Sequence, residues 1–218
     1  MNPPRDQAVA FEPLHVVLAS GHSLSGLWLR GAGRLTVLFL HDHDHDADLD
    51  AVLPLLAQMG MPEAHKIALD LPGHGLSEGA PEHAAQALSM FCDRLGAEGQ
   101  GPFVVVGCGR SAGLAWTLGS RGDVLGTVLV SPDFADAGVT EPEPFRRTPV
   151  LVFLAAASPE FVAAWTALRA RLRARWLSVS LAVTHEDLLA LRGCDRQIAS
   201  HLAGFARELM ANAPAPNS

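Results

Sequence analysis

The sequence predicts an α/β domain: a mostly parallel sheet with helices on both faces. Three observations carry that prediction. Short apolar runs alternate with segments of helical periodicity along most of the chain, as they do when each strand is followed by a helix crossing back over the sheet. The run 35–40 is apolar in the manner of a buried strand rather than a half-exposed one. After the short apolar run 66–69 the chain breaks into Asp70-Leu71-Pro72-Gly73-His74-Gly75-Leu76-Ser77. Pro72 cannot continue a central ladder, and Gly73 and Gly75 permit backbone angles that other residues resist.

Taken in order, residues 14–19 and 24–29 read as two short strands joined by a Gly/Ser turn, and 35–40 as a third. Residues 50–59 have helical spacing, with Val52, Leu55, Leu56 and Met59 on one face; Pro54 is tolerable there near the helix start. Strand 67–69 leads into the Asp70 turn. A helix is expected over 82–95, with Pro81 before it and Gly96 after it. Strand 103–106 enters a glycine-rich turn followed by a short helix over 112–118. Further strands are expected at 124–130, 150–154 and 176–183, a helix at 160–173, and a closing amphipathic helix at 198–210. The whole chain reads as one domain, 1–218, with its core over about 13–211 and a frayed Pro/Ala/Asn-rich tail at 212–218.

Composition narrows the partners. The chain is nearly half apolar and 18% charged, as in ordinary globular proteins, and its formal charge of −7 argues against binding a phosphate backbone. Arg169, Arg171, Arg173 and Arg175 are spaced by two, which spreads them around a helix. Cys92, Cys108 and Cys194 form no metal spacing and no disulfide framework. The start of the chain lacks a basic-then-apolar leader, and the apolar runs 35–40 and 150–157 are too short to cross a bilayer. These absences point to a cytoplasmic protein that binds no nucleic acid and no membrane; they leave oligomeric state open. No Walker motif follows the glycines at 107–113, and no cofactor is expected. The alternating run His41-Asp42-His43-Asp44-His45-Asp46 puts histidines on one side of an extended loop, yet it fixes no coordination geometry, so no metal is expected.

The Asp70–Ser77 run resembles the D-x-P-G-H-G-x-S turn after the fourth strand of α/β-hydrolase-fold proteins, and the resemblance extends over roughly residues 13–211. It implies an α/β-hydrolase fold; the lid position, 131–149, is too short for a helical lid. It also implies an oxyanion hole after strand 35–40, where the family often has His-Gly. Here His41 is followed by Asp42, and a carboxylate beside developing negative charge is unfavourable unless it points away. The resemblance makes the backbone N–H groups of His43 and Ala112 the oxyanion donors, and it sets His41 and Asp42 against the substrate.

For the nucleophile, two registers fit Gly107-Cys108-Gly109-Arg110-Ser111-Ala112-Gly113. One overlays G-x-S-x-G on 107–111 and puts Gly109 at the nucleophile position, where no attack is possible. The other reads 109–113 literally, with Ser111 as nucleophile. Cys108 is a third candidate, without a glycine two residues before it. His185, in Thr184-His185-Glu186 after the last strand, resembles the family's general base. The usual acid position holds Ser158 instead of Asp; Asp133, after the preceding strand, can orient the same histidine, with Glu160 behind it. A second serine motif, Gly21-His22-Ser23-Leu24-Ser25-Gly26, lies between two early strands and reads as a hairpin turn.

Three functions follow. Ser111, His185 and Asp133 would form a small serine hydrolase whose small-molecule substrate is an ester or thioester of a small acyl group. Alternatively, Asp42, the ambiguous elbow and the missing acid describe a catalytically inactive α/β-hydrolase-fold protein serving as a binding or partner module. A lyase using His185 as sole base is the third.

Overall fold

The computed structural model describes residues 10–42, 49, 52–133, 148–171 and 175–213. Among these, eight strands form one sheet in the order β1-β2-β4-β3-β5-β6-β7-β8. The chain runs β1 (Glu12–Val17), β2 (Ser23–Leu29), β3 (Thr36–Leu40), α1 (Leu53–Gln58), β4 (His65–Leu69), α2 (Ala84–Ala97), β5 (Phe103–Cys108) and α3 (Ala112–Leu118). It continues through β6 (Val124–Val130), β7 (Val150–Ala155), α4 (Pro159–Arg171), β8 (Trp176–Leu181), α5 (His185–Leu189) and α6 (Asp195–Asn212). β1–β2 and β2–β4 pair antiparallel; every other pairing is parallel.

Burial explains the apolar runs. All five residues of β3 are buried, because helices cover both faces of the sheet. Val37 and Phe39 point to one side, against Leu55 and Leu56 of α1 and Ile198 and Leu202 of α6. Leu38 and Leu40 point to the other, into the cluster formed with Leu88 and Phe91 of α2 and Ala115 of α3. Such strands cannot alternate polar with apolar residues without burying an unpaired polar group.

The expected elements are present with shifted ends. α1 is shorter than the 50–59 expected, with Pro54 in its first turn, where its missing N–H costs nothing. Helix 82–95 starts as a 3-10 turn at Pro81 before α2. β8 stops at Leu181, and α6 begins at Asp195 and runs through Asn212, taking in the first residue of the expected tail. α5 was not expected. Thr184 caps it by accepting the Asp187 amide at 3.1 Å, a first-turn arrangement the run Thr184-His185-Glu186-Asp187 supports. Residues 134–147, where a lid would be inserted, lie outside the described residues.

The connections set the site. β3 leads to β4 on one side, and the chain then returns to place β5 on the other side of β3. That reversal makes the C-terminal ends of β3 and β5 a topological switch point, the place where open α/β sheets bind ligands.

Candidate functional site

The turn after β5 stands at this switch point. Gly109 sits at its apex with φ +54°, in the left-handed region that disfavours a side chain. A 3-10 turn, Gly109–Ser111, leads directly into α3. Gly107 makes the bend close enough: a Cβ there would lie 2.4 Å from the Ser111 carbonyl oxygen. Strand, apex and helix therefore follow the register that puts Gly109 at the nucleophile position.

The register with Ser111 at the apex is not the one the backbone takes. Ser111 lies in the turn below it, fully buried, and its Oγ donates to the His41 carbonyl at 2.5 Å. Its hydroxyl joins the end of β3 to the start of α3. The Ala112 amide, expected at the oxyanion hole, is turned back onto the Gly109 and Arg110 carbonyls. His43, the other expected donor, lies outside the described residues. Cys108 is buried, and burial, with the Asp42 charge adding to it, pushes its thiol up to about 12, so it carries no nucleophilic thiolate at neutral pH.

Asp42 takes the space above the apex. Its Oδ1 accepts the Arg110 amide at 3.0 Å, and a Cβ on Gly109 would come within 2.5 Å of its Cγ and both carboxylate oxygens. The residue expected to face a substrate is thus the partner of the elbow itself. His41 is buried. Its Nε2 accepts the Leu71 amide at 3.1 Å, so Nδ1 carries the proton and donates to the Asp42 carbonyl at 2.6 Å. The ring meets His74 edge-on at 5.3 Å. His41 therefore ties the end of β3 to the Asp70 turn, where Gly73 and Gly75 adopt φ +83° and +50°.

His185 begins α5, just beyond β8. Its Nδ1 lies 2.6 Å from Ser131 Oγ, and its backbone amide donates to Ser158 Oγ at 3.0 Å. Ser131 directly follows β6, is 2% exposed and holds φ +45°, an uncommon backbone state for a residue with a side chain. Sequence reasoning passed over Ser131; its place at a strand end just before Pro132-Asp133 was the available signal. Asp133 reaches the elbow through its backbone, its amide donating to the Gly109 carbonyl at 3.1 Å. Glu160 lies exposed in the first turn of α4. The structure thus brings His185, Ser131, Asp133, Gly109 and Asp42 to one end of the sheet and keeps the Ser111 hydroxyl beneath it.

The arrangement has limited chemistry. A strand–turn–helix elbow exposes a nucleophile through the side chain at its apex and supplies the next amide to an oxyanion. Here the apex has no side chain, and the next amide, that of Arg110, already holds a carboxylate. A second anion formed beside Asp42 would meet repulsion instead of stabilisation. Nδ1 of His185 meets the Ser131 hydroxyl at 2.6 Å.

No protein-family model matches the chain, and no curated protein matches it in sequence. Solved structures do match it in shape. A predicted CIB-like hydrolase from Thermoplasma acidophilum aligns at 15% identity and a TM-score of 0.72, covering 91% of this chain and 99% of that one. An esterase domain from a Rhodothermus marinus protein aligns at 17% identity and 0.71, covering 91% and 99%. An esterase of Pyrococcus furiosus aligns at 15% and 0.69, covering 95% and 94%. The sheet order and these likenesses show the α/β-hydrolase fold.

Proposed function

We propose that this α/β-hydrolase-fold chain binds a small molecule or a partner at the switch point beyond β3 and β5 without forming an acyl-enzyme. The observation that carries this reading is the bare Gly109 apex with the Asp42 carboxylate set against it and on the Arg110 amide. Acyl transfer needs a nucleophile and an oxyanion donor at that point, and both places are taken. The switch point remains a binding feature of the fold whatever its chemistry. The test is hydrolysis of p-nitrophenyl acetate by the wild-type protein beside His185→Ala. The two should turn over ester at the same background rate. Turnover at least about tenfold faster in the wild type, a loss of the size general-base removal produces, contradicts the reading.

One observation favours a second reading, a hydrolase of esters or thioesters. Ser131 fixes His185 through Nδ1, as an acid would, and the proteins similar in fold are named as esterases and hydrolases. In that reading His185 removes a proton from the attacking water or from a serine. His185-dependent turnover without a covalent adduct favours water as nucleophile. An adduct on Ser111 returns the chemistry to the serine mechanism expected from the sequence.

A further inference from the structure

We infer that Asp42 and Gly109 form one coupled lock, and that the rest of the centre is assembled beneath it. The inference rests on the reading just proposed and goes further, because it says what keeps the site closed. The elbow departs from that of a hydrolase in two ways, a missing nucleophile and a carboxylate by the oxyanion amide. The geometry makes them a single event. The carboxylate of Asp42 occupies the space of a side chain on residue 109: all three of its terminal atoms lie 2.5 Å from where that Cβ would be. The same carboxylate accepts the Arg110 amide at 3.0 Å. A side chain at 109 and the present position of Asp42 therefore exclude each other. Glycine at 109 is what lets Asp42 reach the amide, and Asp42 is what fills the gap glycine leaves.

Around this lock the supporting parts stand in place. Gly107 allows the bend, and φ +54° at the apex is the strained turn such an elbow requires. The Asp133 amide binds the carbonyl of Gly109, and two residues before it Ser131 holds Nδ1 of His185. The imidazole is thus tied to the strand end that is itself tied to the apex. A hydroxyl introduced at 109 would stand at the same end of the sheet as that imidazole, the group that would take its proton.

The test compares Gly109→Ser, Asp42→Gly and the combination, each reacted with a fluorophosphonate and read by intact mass. In the reaction the hydroxyl oxygen bonds to phosphorus, the P–F bond breaks, fluoride leaves, and the hydroxyl proton passes to His185 and then to solvent. The combined variant should label, and should lose labelling when His185→Ala is added. Gly109→Ser alone must first drive Asp42 off the Arg110 amide, a charge-assisted bond, so it should react about tenfold or more slowly. Equal rates for the single and combined variants overturn the lock. A folded combined variant that does not label overturns the assembled centre. Labelling of the wild type would instead contradict the proposed function, so the two failures are distinct. If the combined variant does not fold, urea midpoints decide: Gly109→Ala should lower the midpoint less in the Asp42→Gly background than in the wild type, and equal shifts overturn the coupling.

Discussion

Replacing Ser111 with alanine separates a structural serine from a catalytic one by the sign of a stability change. The hydroxyl is fully buried and donates to the His41 carbonyl, in the layer joining the end of β3 to the turn before α3. A net internal hydrogen bond is worth about 1 kcal/mol, and stranding the buried acceptor raises the loss to about 1–3 kcal/mol. In a chain of this size that lowers the melting temperature by about 2–12 °C. A serine kept for catalysis behaves differently: it is held at some cost to stability, and its removal is neutral or stabilising. The assay is urea unfolding followed by circular dichroism, with thermal melting as a second measure. The expected result is a lower midpoint with an unchanged slope, since the hydroxyl alters no large surface. A midpoint equal to or above that of the wild type would refute the placement of Ser111 as a buried tie between β3 and α3.

Three further outcomes follow from the packing. His65 accepts the Trp28 indole N–H at 3.3 Å and the Gly31 amide at 3.0 Å on Nδ1, and burial holds its pKa below the ordinary 6.5 despite an opposing bond to Gly33. Its stabilising contribution is therefore complete above pH 6.5 and is lost as pH falls below that value, where the unfolded chain takes the proton first; urea midpoints between pH 7.5 and 5.5 should fall, and His65→Asn should flatten the fall. Cys92 and Cys108, both pushed up to about 12 by burial, should resist iodoacetamide at pH 8 in the folded protein and react after unfolding; alkylation of either in the native state contradicts their burial. Arg121 joins Ser89 and Asp93 of α2 to Asp123, and Arg121→Lys, which loses the planar fork, should cost about 1–3 kcal/mol in urea unfolding; no change would show these bonds to be spectators.

The fold was legible because its signals are local. The break at Asp70–Ser77 needs glycines where the backbone turns, and Gly73 and Gly75 adopt positive φ there. β3 reads as buried because every residue of it is. The elbow register was not legible. Small residues fill both frames between Gly107 and Gly113, and what selects between them is where β5 ends, at Cys108, which is set by its pairing with β6. Asp42 could be placed beside the oxyanion hole from sequence order, but not aimed, since its bond to Arg110 spans 68 positions. The Ser131–His185 contact joins residues 54 apart and carries no local pattern. α5 was within reach: Thr184 and Asp187 stand in capping positions that the strand reading of 176–183 ran up against.

The most direct measurement is intact-mass analysis of the wild-type protein after prolonged exposure to a fluorophosphonate. A mass unchanged from the untreated chain, with circular dichroism showing it folded, is the expected result. A stoichiometric adduct mapped to Ser111 or Ser131, and lost in His185→Ala, would mean that a serine is activated at this switch point after all, and that the carboxylate over Gly109 does not close it.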